Sequence, residues 1–220
     1  ESEEGGKSLR KSKSGGRVPE EEEVVDLNAP LDGEVGDTLL HSAASGGHVN
    51  VLRELLARGA LLHTRNTLGC TALHAAAMHG SDEAIHFLLD HGADPRESDA
   101  EGYCPMHYAA GEGHVDAIQA LVSGGRCDPT IKTYVGLTML HIAVTENRGN
   151  LVSHLLQDFP ALASIPDSDG VLAVEYARAA RVRDEMMVQQ LEAAAAGSRL
   201  LVQMNLAPTK VAGQLFINDQ

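Results

Sequence analysis

Apolar positions along the chain fall into short helical rhythms. Ala84, Ile85, Leu88 and Leu89 line one face of a helix expected over Ser81 to His91. Val51, Leu55 and Leu56 repeat that spacing upstream. Ile118, Leu121 and Val122, then Leu151, Leu155 and Leu156, repeat it downstream. A shorter run precedes each of these helices. In the clearest copy it is Leu73, Ala76 and Ala77, small enough for neighbouring helices to approach closely. Thr71 is placed to cap that shorter helix and Gly80 to stop it. Gly92 ends the longer helix, and Gly69 opens the unit in a tight turn.

The whole unit recurs. Gly69-Cys-Thr-Ala-Leu-His-Ala-Ala-Ala-Met-His-Gly80 returns as Gly36-Asp-Thr-Leu-Leu-His-Ser-Ala-Ala, Gly102-Tyr-Cys-Pro-Met-His-Tyr-Ala-Ala and Gly136-Leu-Thr-Met-Leu-His-Ile-Ala-Val. A fifth copy, Gly170-Val-Leu-Ala-Val-Glu-Tyr-Ala-Arg, is worn down. The leading glycines are 33, 33, 34 and 34 residues apart. Self-similarity at that period means stacked repeats, each of which buries its apolar faces only against its neighbours. Lettering and period resemble the ankyrin repeat over residues 36–192. The resemblance implies an all-α ankyrin-repeat solenoid of about five helix-turn-helix repeats joined by β-hairpin loops.

The flanks follow from that frame. Residues 1–23 are polar, with a basic cluster over Lys7 to Lys13 and an acidic run over Glu20 to Glu23. With so little apolar surface they are expected to form an extended or disordered tail. The basic cluster reads as solvated linker, with a nuclear-import or docking signal as the alternative. Val25 to Pro30 resembles the segment that closes an ankyrin repeat, so residues 24–35 are expected to be a half-repeat covering the open N-terminal end. The fifth repeat loses the Thr and the His and gains Arg178, Arg181 and Arg183, as a C-terminal cap would. Residues 193–220 are expected to hold a further helix near 197–207 and an apolar tail, Val211 to Ile217.

Charge narrows the partners. The net charge is −14, and residues 36–192 alone carry 20 acidic and 10 basic side chains. That argues against a nucleic-acid backbone or an anionic membrane surface as the partner. No apolar run approaches the ~20 residues needed to cross a bilayer, so no membrane insertion is expected. Three scattered cysteines suit the cytoplasm or another reducing compartment better than a disulfide framework.

Candidate chemistry dissolves on inspection. Gly6-Lys7-Ser8 lacks the leading glycine of a phosphate loop, and Gly111-Glu-Gly113 has Asp116 where a dinucleotide motif needs its third glycine. His41, His74, His107 and His141 share one repeat slot. There the resemblance implies a structural role, hydrogen bonding to the backbone of the adjacent turn. Repeats stacked roughly 8–10 Å apart hold such histidines too far apart to share a zinc with bonds of about 2 Å. Neither a catalytic centre nor a metal nor a cofactor is expected, and the chain is not read as an enzyme.

Function is therefore expected on a surface. The resemblance implies binding through the concave face, built from hairpin tips and the exposed side of the first helices. By register the individual residues there are Leu68, Cys70, Met78 and His79, then Glu101, Tyr103 and Glu112. Tyr134, Val135, Leu137 and Glu146 follow, then Asp169 and Val171. Aromatic and apolar side chains inside a carboxylate rim have the composition of a protein interface, although Tyr134, Val135 and Leu137 also suit packing between hairpins. The leading expectation is a non-catalytic adaptor or scaffold for one or more partner proteins. The alternatives are a structural subunit held through its tails in a large complex, and a transient assembly chaperone for a basic client.

Overall fold

The computed structural model describes residues 26–31, 33–123, 126–179 and 184–205, with the backbone alone for 198–205. Among the described residues there are ten α-helices in five consecutive pairs. α1 (Leu39–Ser45) pairs with α2 (Val49–Ala57), α3 (Ala72–Met78) with α4 (Asp82–Asp90), and α5 (Pro105–Glu112) with α6 (Val115–Val122). α7 (Met139–Thr145) and α8 (Gly149–Asp158) follow, then α9 (Ala173–Ala179) and α10 (Glu185–Asn205). This is the all-α repeat solenoid that the period implies.

Residue size sets its packing. Ala44, Ala76, Ala77, Ala109, Ala110 and Ala143 put only methyl groups between successive first helices, and all are fully buried. The odd-numbered helices consequently pack more closely on one another than the even-numbered ones do. Leu52, Ile85, Leu88, Ile118, Leu121 and Leu151 fill the layer behind. Within the first four pairs the chain reverses through a left-handed residue, glycine at Gly47, Gly80 and Gly113. In the fourth repeat it is Asn147 at φ 56°, one of the few side chains that tolerate this region.

Turns, with no strand assigned among the described residues, form the hairpins. Each tip is closed by a backbone bond such as Asp99 N–H to Tyr103 O at 2.9 Å. Neighbouring tips are joined by others: Thr67 N–H to Val35 O at 3.0 Å and Ala100 N–H to Leu68 O at 3.1 Å. These bonds join the first three tips, and Ser168 N–H to Val135 O at 3.3 Å joins the fourth to the fifth.

Both ends depart from expectation. Residues 26–31 and 33–35 are turns beside the first hairpin, anchored by Leu61 N–H donating to Asn28 Oδ1 at 2.8 Å. They do not cover the free face of α1 and α2, where Leu39 and Val51 stay exposed. With no helix of its own, this segment cannot supply a stacking face. At the other end α10 runs unbroken from Glu185 to Asn205, so residues 197–205 extend the second helix of the fifth repeat and are not a separate helix. The inserted Pro160–Ser164 forms a 3-10 turn that buries Leu162 and packs against α10. Residues 1–23 and the segment Val211 to Ile217 lie outside the described residues, as do Arg181 and Arg183.

Candidate protein-binding surface

The surface is built on a braced set of turns. In each of the first four repeats the histidine accepts, at Nδ1, the backbone N–H of its own N-cap residue; from Thr71 to His74 this is 3.1 Å. A backbone N–H can only donate, so Nδ1 carries the lone pair and Nε2 carries the proton. That proton goes to a carbonyl of the next repeat: His41 to Cys70 at 2.9 Å, His74 to Tyr103 at 3.2 Å, His107 to Ile131 at 3.2 Å and His141 to Val171 at 3.2 Å. Each imidazole thus ties a first helix to the following hairpin, and both ring nitrogens are committed. Burial pushes the pKa of His74 and of His141 below the usual imidazole range.

A second brace fixes the second to fifth tips. Three residues before the tip glycine, one side-chain oxygen gathers the backbone across the turn. Asn66 Oδ1 accepts from Leu68 and Cys70 N–H, both at 3.0 Å, and Asp99 Oδ1 from Glu101 and Tyr103 N–H, both at 2.9 Å. Thr133 Oγ1 takes Leu137 N–H at 3.1 Å, and Asp167 Oδ1 takes Asp169 and Val171 N–H, both at 2.9 Å. Two of these carboxylates also receive a tyrosine hydroxyl from the next helix: Tyr108 to Asp99 at 2.6 Å and Tyr176 to Asp167 at 2.7 Å. The Tyr176 bond holds the Asp167 carboxyl below its ordinary pKa and pushes the phenol up to about 12. Tyr108→Phe removes one charge-assisted bond and should cost about 1.5–2 kcal/mol in urea denaturation. A change within about 0.3 kcal/mol would mean that Asp99 holds the tip without it.

Five of the residues singled out by register come together. Glu101, Tyr103, Glu112, Leu137 and Glu146 line one open groove of about 410 Å³ between the third and fourth repeats. Tyr108, Gly111 and Ile142 complete its floor. The Tyr103 and Tyr108 rings lie 6.1 Å apart, and burial followed by the Glu101 carboxylate raises the Tyr103 phenol pKa. Glu112 already has a partner, since Arg148 donates to its Oε2 at 3.0 Å and to Gly111 O at 2.6 Å.

Other nominated residues lie elsewhere. Leu68, Tyr134 and Val135 stand on the tips, exposed at 51%, 71% and 60%. Tyr134 is nonetheless seated, with its ring against Gly102 and its hydroxyl 3.3 Å from Ser98 Oγ. Met78 is half-buried and His79 exposed, its Nδ1 3.0 Å from Ala75 O. Asp169 is exposed and Val171 half-buried on the fifth hairpin, outside the groove. Cys70 requires correction. It is only 4% exposed and so cannot meet a partner, because Tyr108 of the next repeat lies over it and accepts its thiol proton at 3.3 Å. Burial raises that thiol's pKa. Tyr108 itself was missed. Its sign in the sequence is the variable slot after the histidine, which holds Ser42, Ala75, Tyr108, Ile142 and Tyr176 in turn.

Among the described residues no helix is long and apolar enough to cross a membrane. In comparisons with known proteins, the family profile described as ankyrin repeats (three copies) matches residues 20–99 and 92–169. No curated protein matches the chain.

Proposed function

The chain belongs to the ankyrin-repeat family, and from that premise we propose that it is a non-catalytic interaction module, an adaptor or scaffold, that holds a partner protein against its concave face. One observation carries the reading: five residues free of any repeat-wide role converge on a single groove whose walls are already braced. Preorganised turns reduce the ordering cost of association, and a tyrosine set among carboxylates suits an interface centre. The histidine slot that would attract a catalytic reading is occupied instead with joining repeats.

A double change, Tyr103→Ala with Tyr134→Ala, tests it. Partner cross-linking in native extract, read by mass spectrometry, should fall about tenfold or more while the circular dichroism melt stays cooperative. Unchanged cross-linking, combined with its loss on deleting residues 206–220, would replace the concave-face reading with that of a structural subunit held through its tail.

A further inference from the structure

We propose that the groove between the third and fourth repeats seats an arginine side chain of the partner. This rests on the concave-face reading and specifies its chemistry. The walls suit the stem and plane of that side chain. Tyr103 and Tyr108 line it with aromatic side chains, and Leu137 and Ile142 with aliphatic ones. The rim suits its charge. Glu101 comes from the hairpin tip of the third repeat and Glu146 from the end of α7, so the groove lies between two carboxylates. Among the described residues neither carboxylate has an ion-pairing or hydrogen-bonding partner, and both are exposed. The third rim carboxylate shows how such a cation is received. Arg148 meets Glu112 and the Gly111 carbonyl with two different guanidinium nitrogens. One arginine of the chain itself thus already uses part of the rim, and the unfilled part offers two further carboxylates beside an aromatic wall. Gly111, also in the lining, adds no side chain in the slot where Met78 and Thr145 stand in neighbouring repeats.

Guanidinium fits this arrangement better than ammonium. Its flat fork can donate to two carboxylates at once while its face lies on a tyrosine ring, whereas a lysine offers a compact, strongly hydrated charge. The excess of acidic groups over the whole repeat body adds steering toward a basic segment.

The probe is N-acetyl-arginine N-methylamide, titrated into the 15N-labelled chain at millimolar concentrations. Saturable amide shifts are expected at Glu101, Tyr103, Glu112 and Glu146. The citrulline analogue, which keeps the shape and loses the charge, should give none, and the lysine analogue should bind at least threefold more weakly. Glu101→Gln with Glu146→Gln should weaken arginine binding about tenfold with an unchanged melt. No saturable shift, equal binding of citrulline or lysine, or full binding by the double glutamine variant each overturns the proposal. The two readings can fail separately. If that variant still cross-links its partner fully while the Tyr103→Ala, Tyr134→Ala variant does not, the concave face stands and the arginine assignment falls.

Discussion

Gly136→Ala should destabilise the repeat body by about 2–6 kcal/mol, enough at the upper end to leave much of the chain unfolded in a domain of ordinary stability. Two costs add at this position. Gly136 has φ +85°, where a side chain costs about 1–3 kcal/mol. Its missing Cβ also faces the next hairpin: a methyl group would overlap Ser168 N and Oγ and come within 2.9 Å of the Asp167 carbonyl carbon. Those backbone atoms belong to the joint where Ser168 N–H bonds to Val135 O, so relief requires parting the fourth and fifth tips. Overpacking of that kind costs roughly another 1–3 kcal/mol. Gly170 provides the control. It has φ +84° but nothing within 4 Å of a built Cβ, so Gly170→Ala should show the conformational cost alone, about 1–3 kcal/mol. Urea denaturation of both variants decides the matter, and equal losses would refute the steric half of the account.

That contrast bears on what was legible in the sequence. Gly136 and Gly170 carry the same letter for the same local reason, and the repeat showed both. Which of them has a neighbour depends on what stacks there, and the letters do not carry that. The histidine slot was readable because its two partners, an N-cap amide and the next tip, stand at fixed register. The tip braces were not recognised, although Asn66, Asp99, Thr133 and Asp167 are spaced 33, 34 and 34 residues apart. Their identities differ, and what they share is an oxygen able to collect amide protons across a turn.

The groove itself was partly legible. Register placed Glu101, Tyr103, Leu137 and Glu146 on the concave side, since those slots follow from the tip glycine and the first helix. Register could not place Cys70 correctly. In its slot Tyr103 and Leu137 stay half-buried, while Cys70 is covered by Tyr108, whose hydroxyl accepts its thiol proton. Helix continuity through Gly197 was missed for a related reason. A glycine within a helix costs about 1 kcal/mol relative to alanine, which the packing of Met187, Leu191 and Ala195 behind it offsets.

His74→Ala should cost about 3 kcal/mol at neutral pH, and the cost should shrink in acid. At neutral pH the change leaves the Thr71 amide and the Tyr103 carbonyl without their imidazole partner and opens a void beside the Tyr108 ring. His86→Ala, on the exposed side of α4, should stay within about 0.5 kcal/mol of the parent. The pH dependence follows from the tautomer. Protonation would put a hydrogen on Nδ1 against the Thr71 N–H, and burial also disfavours the cation, so the folded pKa lies below the unfolded value of about 6.5. Below that pH the unfolded chain takes up a proton that the folded chain refuses. The stability is therefore complete above about pH 6.5 and is lost as pH falls toward the depressed folded value. The alanine variant has no such proton to exchange at this site. Its urea midpoint should decline less steeply between pH 7 and pH 5 than that of the parent, and the two curves should converge. Parallel curves would mean that the proton on His74 is not what opposes acid at this joint. The neutral-pH loss would then come from packing and the two hydrogen bonds of the neutral ring.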